Sequence, residues 1–460
     1  MPAISAFDAL VYAPMLARTP SDLSTLVAPP YDVLDAAGKQ RLIARSDRNI
    51  VAVDLPHIPA KELGPPACYA TAAATLASWR NDGTLARAGR RVMFVYRQSF
   101  TFNGRAIDRT GLACLVDLRP FGPANDGTGG ILPHEETFSG PKEDRAALLR
   151  ATKTQLSPIF GLHPDAQGTT ARLLREAFES PVSSDDSSGV GPAHTARSDD
   201  GTIHTIRVIR DAALHARLST SLKGEDVFIA DGHHRYTTSL NHLRDLESHG
   251  NVPADHPARR VMFVLVSMSD PGLVIGPTHR VLGGMSAYSF DALLANADLK
   301  ITAAPGDLAR LEHAVLNGPA HAGPRVGLYD FATGRAAVCE PAAADPLAAK
   351  FPRKPRAWRD LDVAFCQYVL VESICQARFN AGNPVRWAFP HSIPEVADIG
   401  AGVELGSGGG AAFNAQLAVI VRPTPLSSVR DVSLAGELMP QKSTFFLPKL
   451  ATGLFMWPHD

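Results

Sequence analysis

A mixed α+β chain, with mixed sheets and helices, is the fold class that three stretches of this 460-residue sequence predict. Residues 91–118 read as a hairpin: Val92, Phe94 and Tyr96 alternate with other residues, Asn103-Gly104 supplies the turn, and Leu112, Leu115 and Val116 return. Val227, Phe228 and Ile229 form an apolar run that ends in Asp231-Gly232. Tyr236, Leu240, Leu243 and Leu246 then share one helix face, so this stretch reads as strand, glycine turn and helix start. Residues 261–266 are apolar throughout and predict a buried strand.

The remaining elements follow from local signals. A helix is expected to start near Gly140, with Pro141 at its first position and Glu143 two residues on. Residues 180–201, rich in Ser, Asp and Gly, predict a mobile surface loop. Asn125-Asp126-Gly127 falls in a mixed loop before His134. Further on, the pattern predicts an amphipathic helix over 308–316, a second hairpin around 330–335, and a long helix carrying Leu361, Phe365, Tyr368, Val369 and Glu372. The glycine-rich run Gly406–Gly410, broken by Ser407, lacks the Gly-Lys-Ser/Thr ending of a P-loop, and residues 413–421 after it read as a strand. Three units are expected: residues 1–170, a central unit over 205–300, and a C-terminal α+β region over 301–460.

Bulk composition bounds the function classes. With 45% hydrophobic residues the chain can bury more than one core. Lys plus Arg number 45 against 46 Asp plus Glu, so duplex nucleic-acid binding, which favours a basic excess, is disfavoured. No polybasic run supports membrane-surface attachment, and no apolar stretch reaches membrane-spanning length. The first residues lack the basic region of a signal peptide. The five cysteines, scattered and without a Cys-x-x-Cys pair, fit reduced thiols in the cytoplasm.

The groups that can do chemistry fall in clusters. Asp231-Gly232-His233-His234-Arg235 packs an acid, two imidazoles and a guanidinium into one turn at a helix start. Such a terminus gathers unpaired N–H groups and partial positive charge, which favours an anion and above all phosphate. Asp231 there can cap the helix, bind a metal or take a proton. Pro29-Pro30-Tyr31-Asp32 is a rigid turn whose plainer role is to let Asp32 cap the next helix. His134-Glu135-Glu136 leads to Lys142 and Arg145, neighbours on one face of a first helical turn. Two cations there oppose the helix dipole; a bound polyanion, or Glu135 and Glu136 as partners, reverses that penalty. Thr278-His279-Arg280 pairs an imidazole with a guanidinium, and Met439-Pro440-Gln441-Lys442-Ser443-Thr444 precedes the aromatic pair Phe445-Phe446.

Several of these segments together resemble one large bacterial and archaeal family. They are Asp231-Gly232-His233-His234-Arg235-Tyr236, Gly140-Pro141-Lys142-Glu143-Asp144-Arg145, Ser157-Pro158-Ile159-Phe160 and Pro277-Thr278-His279-Arg280. The family is catalogued as the domain of unknown function numbered one thousand and fifteen. Residues 28–33 and 439–449 resemble its two ends, so the resemblance runs nearly from end to end. One departure is Thr237, where the family usually has glutamate after the tyrosine. The Asp-Gly-His-His-Arg turn is also similar to a short motif of the ParB/sulfiredoxin superfamily, which includes chromosome-partitioning nucleotide switches, sulfiredoxins and free serine kinases. That local resemblance implies a ParB/sulfiredoxin-like nucleotide-binding core in which Arg235 and the backbone after Gly232 hold phosphate. Sulfiredoxin chemistry wants a cysteine in the turn, and this turn has none.

These readings give an expected function: a nucleotide-dependent phosphotransferase, a small-molecule kinase acting on a hydroxylated metabolite with free serine as first guess. Its cofactor would be ATP or ADP with Mg²⁺. Arg235, Lys142, Arg145, His279 and Arg280, with the Gly232 backbone, are the expected phosphate contacts. Asp231 and Glu135 are the expected oxygen ligands of the metal. Asp231, His233, His234 and Glu135 form the catalytic set, with one histidine as base. Tyr31, Asp32 and Lys442 are expected at the small-molecule substrate. The alternatives are a ParB-like nucleotide switch without metabolite chemistry, or a metal-dependent hydrolase using His134, Glu135, His233 and His234.

Overall fold

A computed structural model describes residues 2–60, 62–124, 126–135, 139–183, 188–318, 323–403 and 413–460. Glu136, Asn125 and the glycine run 406–410, singled out above, lie outside the described residues. The class is α+β, as expected. The internal contacts form two units where three were expected. One comprises residues 1–133, 137–274 and 448–460; the other comprises 134–136 and 275–447. The expected boundary between residues 170 and 205 disappears because strands from both sides of it hydrogen-bond into one sheet.

That sheet is the frame of the first unit and has nine strands among the described residues. Along it run Ile131–Leu132, Val227–Asp231, Ile159–His163, Arg260–Ser267, Arg105–Asp117, Met93–Phe102, Ile203–Ile209 and Val190–Arg197, with Ile4–Ser5 pairing Arg105–Asp117 off this path. Pairing is mixed: Ile159–His163 runs parallel to Arg260–Ser267 but antiparallel to Val227–Asp231. The predicted hairpin is its centre, closed by Asn103 and Gly104 with φ of 48° and 74°, the left-handed pair that a two-residue hairpin turn requires. Met93, Val95, Leu112, Cys114, Val116, Phe263 and Leu265 give it a continuous apolar face.

Two local expectations fail in this unit. The predicted loop 180–201 contains the edge strand Val190–Arg197, because Val190, Pro192, His194 and Ala196, at every second position, are buried beside Ile203–Ile209. Asp35, not Asp32, caps the helix Ala36–Arg45, its carboxylate accepting from Gly38 N at 2.6 Å; Asp32 sits one turn too early, inside the 3-10 turn Tyr31–Val33.

The second unit is built on a six-stranded antiparallel sheet, ordered Leu299–Ala304, Ala336–Pro341, Val326–Asp330, Ala415–Val421, Arg280–Gly283 and Arg386–Ala388. Both faces are covered: Leu417, Val419 and Val421 enter one core, Ala418 and Ile420 the other. The predicted helix Leu308–Leu316 covers the second face through Leu311 and Val315. The long helix expected around 361–372 is present but wider-wound, with a π-helical stretch Cys366–Gln376 in which Ser373 Oγ donates to Tyr368 O, five residues back. All five cysteines are free thiols, four of them buried. Among the described residues no helix is long and apolar enough to cross a membrane.

Candidate functional site

The strand Val227–Asp231 delivers its last residue to the start of the helix His233–His249 through Gly232. The ladder with Ile159–His163 shifts register between Ile229 and Asp231, so the strand bulges and re-aims the Asp231 side chain. Gly232 takes φ +97°, ψ 23°, a left-handed geometry that costs other residues about 1–2 kcal/mol. A Cβ there would also lie 3.1 Å from the Arg235 guanidinium. Gly232→Ala is therefore expected to lower stability by about 1–2 kcal/mol, and by more if Arg235 is displaced. Denaturant unfolding measures it, and an unchanged midpoint would contradict the strained turn.

The helix is held by its inner face. Tyr236, Leu240 and Leu243 are buried, and the Tyr236 hydroxyl donates to Arg119 O at 2.7 Å. That leaves the first turn, with His233 and His234 half-buried, at the end of the strand. Gly232, as N-cap, offers no side chain to the first amides.

Asp231 meets two cations. Its Oδ2 accepts from Arg235 Nη2 at 2.6 Å and its Oδ1 from Lys449 Nζ at 2.7 Å. Burial would raise the Asp231 pKa, but Lys449 and Arg235, with a smaller influence from His233, hold the carboxyl well below the usual carboxylate range. Arg235 is fixed a second time, because Nη1 donates to the carbonyl of Pro158 in the Ser-Pro-Ile-Phe stretch. Asp231 thus acts as a fixed counter-charge. Both oxygens are engaged, which departs from the metal-ligand role expected from the sequence.

Lys449 is the residue that sequence reasoning missed. Its position depends on the central hairpin: Gln98 Nε2 donates to Lys449 O at 2.9 Å, and Arg109 Nη2 to Pro448 O at 2.5 Å. The Tyr96 hydroxyl accepts from Ala451 N at 3.2 Å. Arg109 is 1% exposed, lies 4.6 Å over the Phe160 ring, and burial pulls its pKa down to about 10. The available signal was Lys449 closing the terminal motif of residues 439–449, but nothing local ties it to Asp231, 218 residues away.

Lys142 and Arg145 share the helix Ser139–Thr152, and the structure gives them different surroundings. Lys142 is half-buried and makes no hydrogen bond or ion pair among the described residues. Arg145 is 6% exposed. Its Nη1 donates to Asp54 O at 2.7 Å and lies 3.3 Å from Asp54 Oδ1, its Nε donates to Asp144 Oδ2 at 2.8 Å, and its guanidinium stacks 3.9 Å over the Tyr31 ring. Burial would lower its pKa, but Asp54 and Asp144 outweigh that and raise it. The phosphate role expected for Arg145 meets a guanidinium already held by two carboxylates. Tyr31 meets that guanidinium in place of a substrate, and Asp32 is half-buried next in sequence.

Glu135, His279, Arg280 and Lys442 belong to the second unit. His279 is fully buried, its Nδ1 accepts from Val421 N at 3.2 Å, and burial with Arg280 and His391 pushes its pKa down to about 3. A buried neutral imidazole bound to backbone is a strand-end support, not a phosphate clamp. Arg280, 3% exposed, donates to Thr278 O and to Lys442 O, the latter at 3.0 Å. Glu135 Oε1 accepts from Lys442 N at 2.8 Å, and Lys442 has φ 61°. Arg280 and Glu135 therefore grip the same strained turn from its two backbone ends. His134 Nε2 is 2.7 Å from Thr444 Oγ1. Among the described residues no group of three or more His, Cys, Asp or Glu is placed to hold a metal ion.

Thr237, which stands where the resemblance expects glutamate, has a hydroxyl that is buried without a partner among the described residues.

The chain is similar in structure to a free serine kinase in complex with AMP, at 10% identity and TM-score 0.31, covering 69% of this chain and 83% of that one. It is similar to SbnI from Staphylococcus aureus, with C-terminal truncation, at 10% identity and TM-score 0.32, covering 74% and 84%. A conserved hypothetical protein from Pyrococcus furiosus gives 11% identity and TM-score 0.30, covering 72% and 93%. No curated protein matches the sequence. The family model DUF1015, described as a protein of unknown function, matches residues 4–364, and on that match the chain belongs to the DUF1015 family.

Proposed function

We propose that the first unit binds the phosphates of a nucleotide, ATP or ADP, at the start of the helix His233–His249 and transfers a phosphoryl group to a small hydroxylated metabolite. The observation that carries this reading is the pairing of one carboxylate, Asp231, with two cations, Arg235 and Lys449, at a helix start whose N-cap, Gly232, has no side chain. Two fixed cations then stand beside the positive end of a helix dipole, an arrangement suited to phosphate. Phosphoryl transfer depends on positioning and on stabilising charge on the transferred group, and fixed cations supply both.

Within this reading Asp231 orients the two cations and does not react. His233, which lies close enough to Asp231 to act on its carboxyl, is the proton acceptor for the incoming hydroxyl. Mg²⁺ with the nucleotide would neutralise phosphate charge. Asp231 does not fit it as a ready ligand, since each oxygen already faces a cation.

The test is a ³¹P-NMR assay of the full-length protein with ATP or ADP, Mg²⁺ and a panel of small hydroxy amino acids, serine first. A phosphorylated product is expected, and His233→Ala should slow its formation by about 100-fold or more. Absence of product together with absence of nucleotide binding would overturn the proposal. Nucleotide binding that changes self-association without product would favour the switch reading.

A further inference from the structure

Residues 448–460 belong to the first unit and are tied to the region of the helix His233–His249 at two points. Lys449 pairs with Asp231 just before the helix begins, and the His459 ring stacks on His242 within it, with centroids 5.7 Å apart and 26° between the planes. Three backbone and side-chain ties fix the second point. The short strand Trp457–Pro458 pairs antiparallel with Thr154–Gln155, His459 N donates to Lys153 O at 2.8 Å, and Trp457 Nε1 donates to Pro257 O at 3.2 Å.

Gln155 sets the protonation state that this contact tolerates. Its Oε1 accepts from Met262 N at 2.9 Å, so its amide nitrogen is the donor, to Arg260 O at 3.0 Å and to His459 Nε2 at 3.2 Å. His459 Nε2 therefore accepts, and the neutral ring keeps its proton on Nδ1. A second proton has only Nε2 to go to, where it meets an N–H in place of a lone pair. The Nδ1 atoms of His459 and His242 are shielded from solvent and have no hydrogen-bond partner among the described residues. Burial, then His242 and His256, oppose a charge on His459 and pull its pKa down to about 3; Asp460 favours the charge but is itself bound by Arg80 and Arg87. Burial also lowers the pKa of His242, where Arg150 and His256 oppose a charge and Asp245 favours it.

We propose that residues 457–460 are an acid-released latch: a proton taken from solvent onto His459 Nε2 ends the bond from Gln155, sets a charged ring against His242 and frees the short strand from Thr154–Gln155. The sign follows from the direction of the shift. With a folded pKa below the unfolded value near 6.5, the closed latch has its full stability above that value and loses it as the pH falls towards the folded pKa. Residues 448–456 keep ties of their own, among them Ala451 N to the Tyr96 hydroxyl and Met456 N to Leu10 O, so the latch opens without releasing Lys449. It stands on these contacts and does not depend on the nucleotide reading.

The test is a pH titration of the full chain labelled with 5-fluorotryptophan and followed by ¹⁹F NMR, with Trp457 as reporter and Trp79, Trp358 and Trp387 as internal controls. The Trp457 signal should move to its solvent-exposed position on acidification while the controls hold still. The open fraction should rise about tenfold for each pH unit between about pH 6 and pH 4.5, the slope of one proton taken up on opening. His459→Gln, which keeps an acceptor for Gln155 but takes no proton, should flatten that dependence. His242→Phe, which keeps a facing ring without a charge, should move the opening to lower pH. The same pH dependence in the parent and both variants overturns the proposal, and so does a parent Trp457 signal that does not move. A Trp457 signal that moves only together with those of Trp79 and Trp358 reports unfolding of the whole chain and overturns it too.

Discussion

Arg145→Ala is expected to cost about 3–5 kcal/mol of folding stability, the range for removing one member of a buried ion pair. The guanidinium is 6% exposed and holds Asp54, Asp144 and the face of Tyr31 at once. Its removal leaves two buried carboxylates beside each other, with Asp54 already pushed upward in pKa by burial. Asp144 also accepts from the Tyr69 hydroxyl at 2.7 Å, which draws the helix Pro66–Asn81 into the same network. Arg145→Lys should recover little, because an ammonium cannot make the planar fork or the stack. Chemical denaturation with the three proteins side by side measures this. A loss below about 1 kcal/mol would show that the network does not hold the fold and would return Arg145 to the candidates for ligand contact.

Asp231→Ala is expected to have the second largest effect, about 2–3 kcal/mol, at the low end for a broken buried pair because the side chains keep some exposure. It takes from Arg235 and Lys449 the carboxylate that they share. Two consequences follow from that charge. Added inorganic phosphate should raise the melting temperature of Asp231→Ala more than that of the parent, since an anion that binds the native state stabilises it. The pH dependence has a definite sign as well. The folded carboxyl titrates below its unfolded value near pH 3.9, so its stabilisation is complete above that value and is lost as the pH falls towards the folded pKa. Asp231→Asn should remove that part of the acid sensitivity below about pH 4. Identical acid unfolding curves for the two proteins would contradict the ion-pair account.

Legibility in the sequence followed the range of the interactions. The hairpin at 93–117, the strand and helix around Gly232, the helix Leu308–Leu316 and the strand Ala415–Val421 were readable because each is set by local alternation, turn residues or helical spacing. The strand Val190–Arg197 was hidden: Gly191-Pro192 and polar His194 and Thr195 mask its alternation, and only its pairing with Ile203–Ile209 makes it a strand. Unit boundaries were misread for the same reason, since a sheet that joins residues 93–117 to 203–209 and 260–267 erases any division drawn between them.

At the site, the turn Asp231–Arg235 was identifiable from residue chemistry, while the partners of its carboxylate were not. Lys449 arrives on a segment tied down by Arg109, Gln98 and Tyr96, three side chains that the sequence offered only as members of a strand pattern. His279 and Arg280 carried the right chemistry but are buried and engaged with backbone, a fact set by the sheet of the second unit. Residue type alone does not separate a cation that waits for a ligand from one that holds a turn.

The most direct test of the phosphate site is calorimetric titration of ADP and ATP into the parent protein, Arg235→Ala and Lys449→Met, each first shown to be folded by circular dichroism. The account predicts saturable binding to the parent and a loss of about tenfold or more in each variant, as expected when a charge-assisted phosphate contact is removed. Equal nucleotide affinity in all three folded proteins would contradict it.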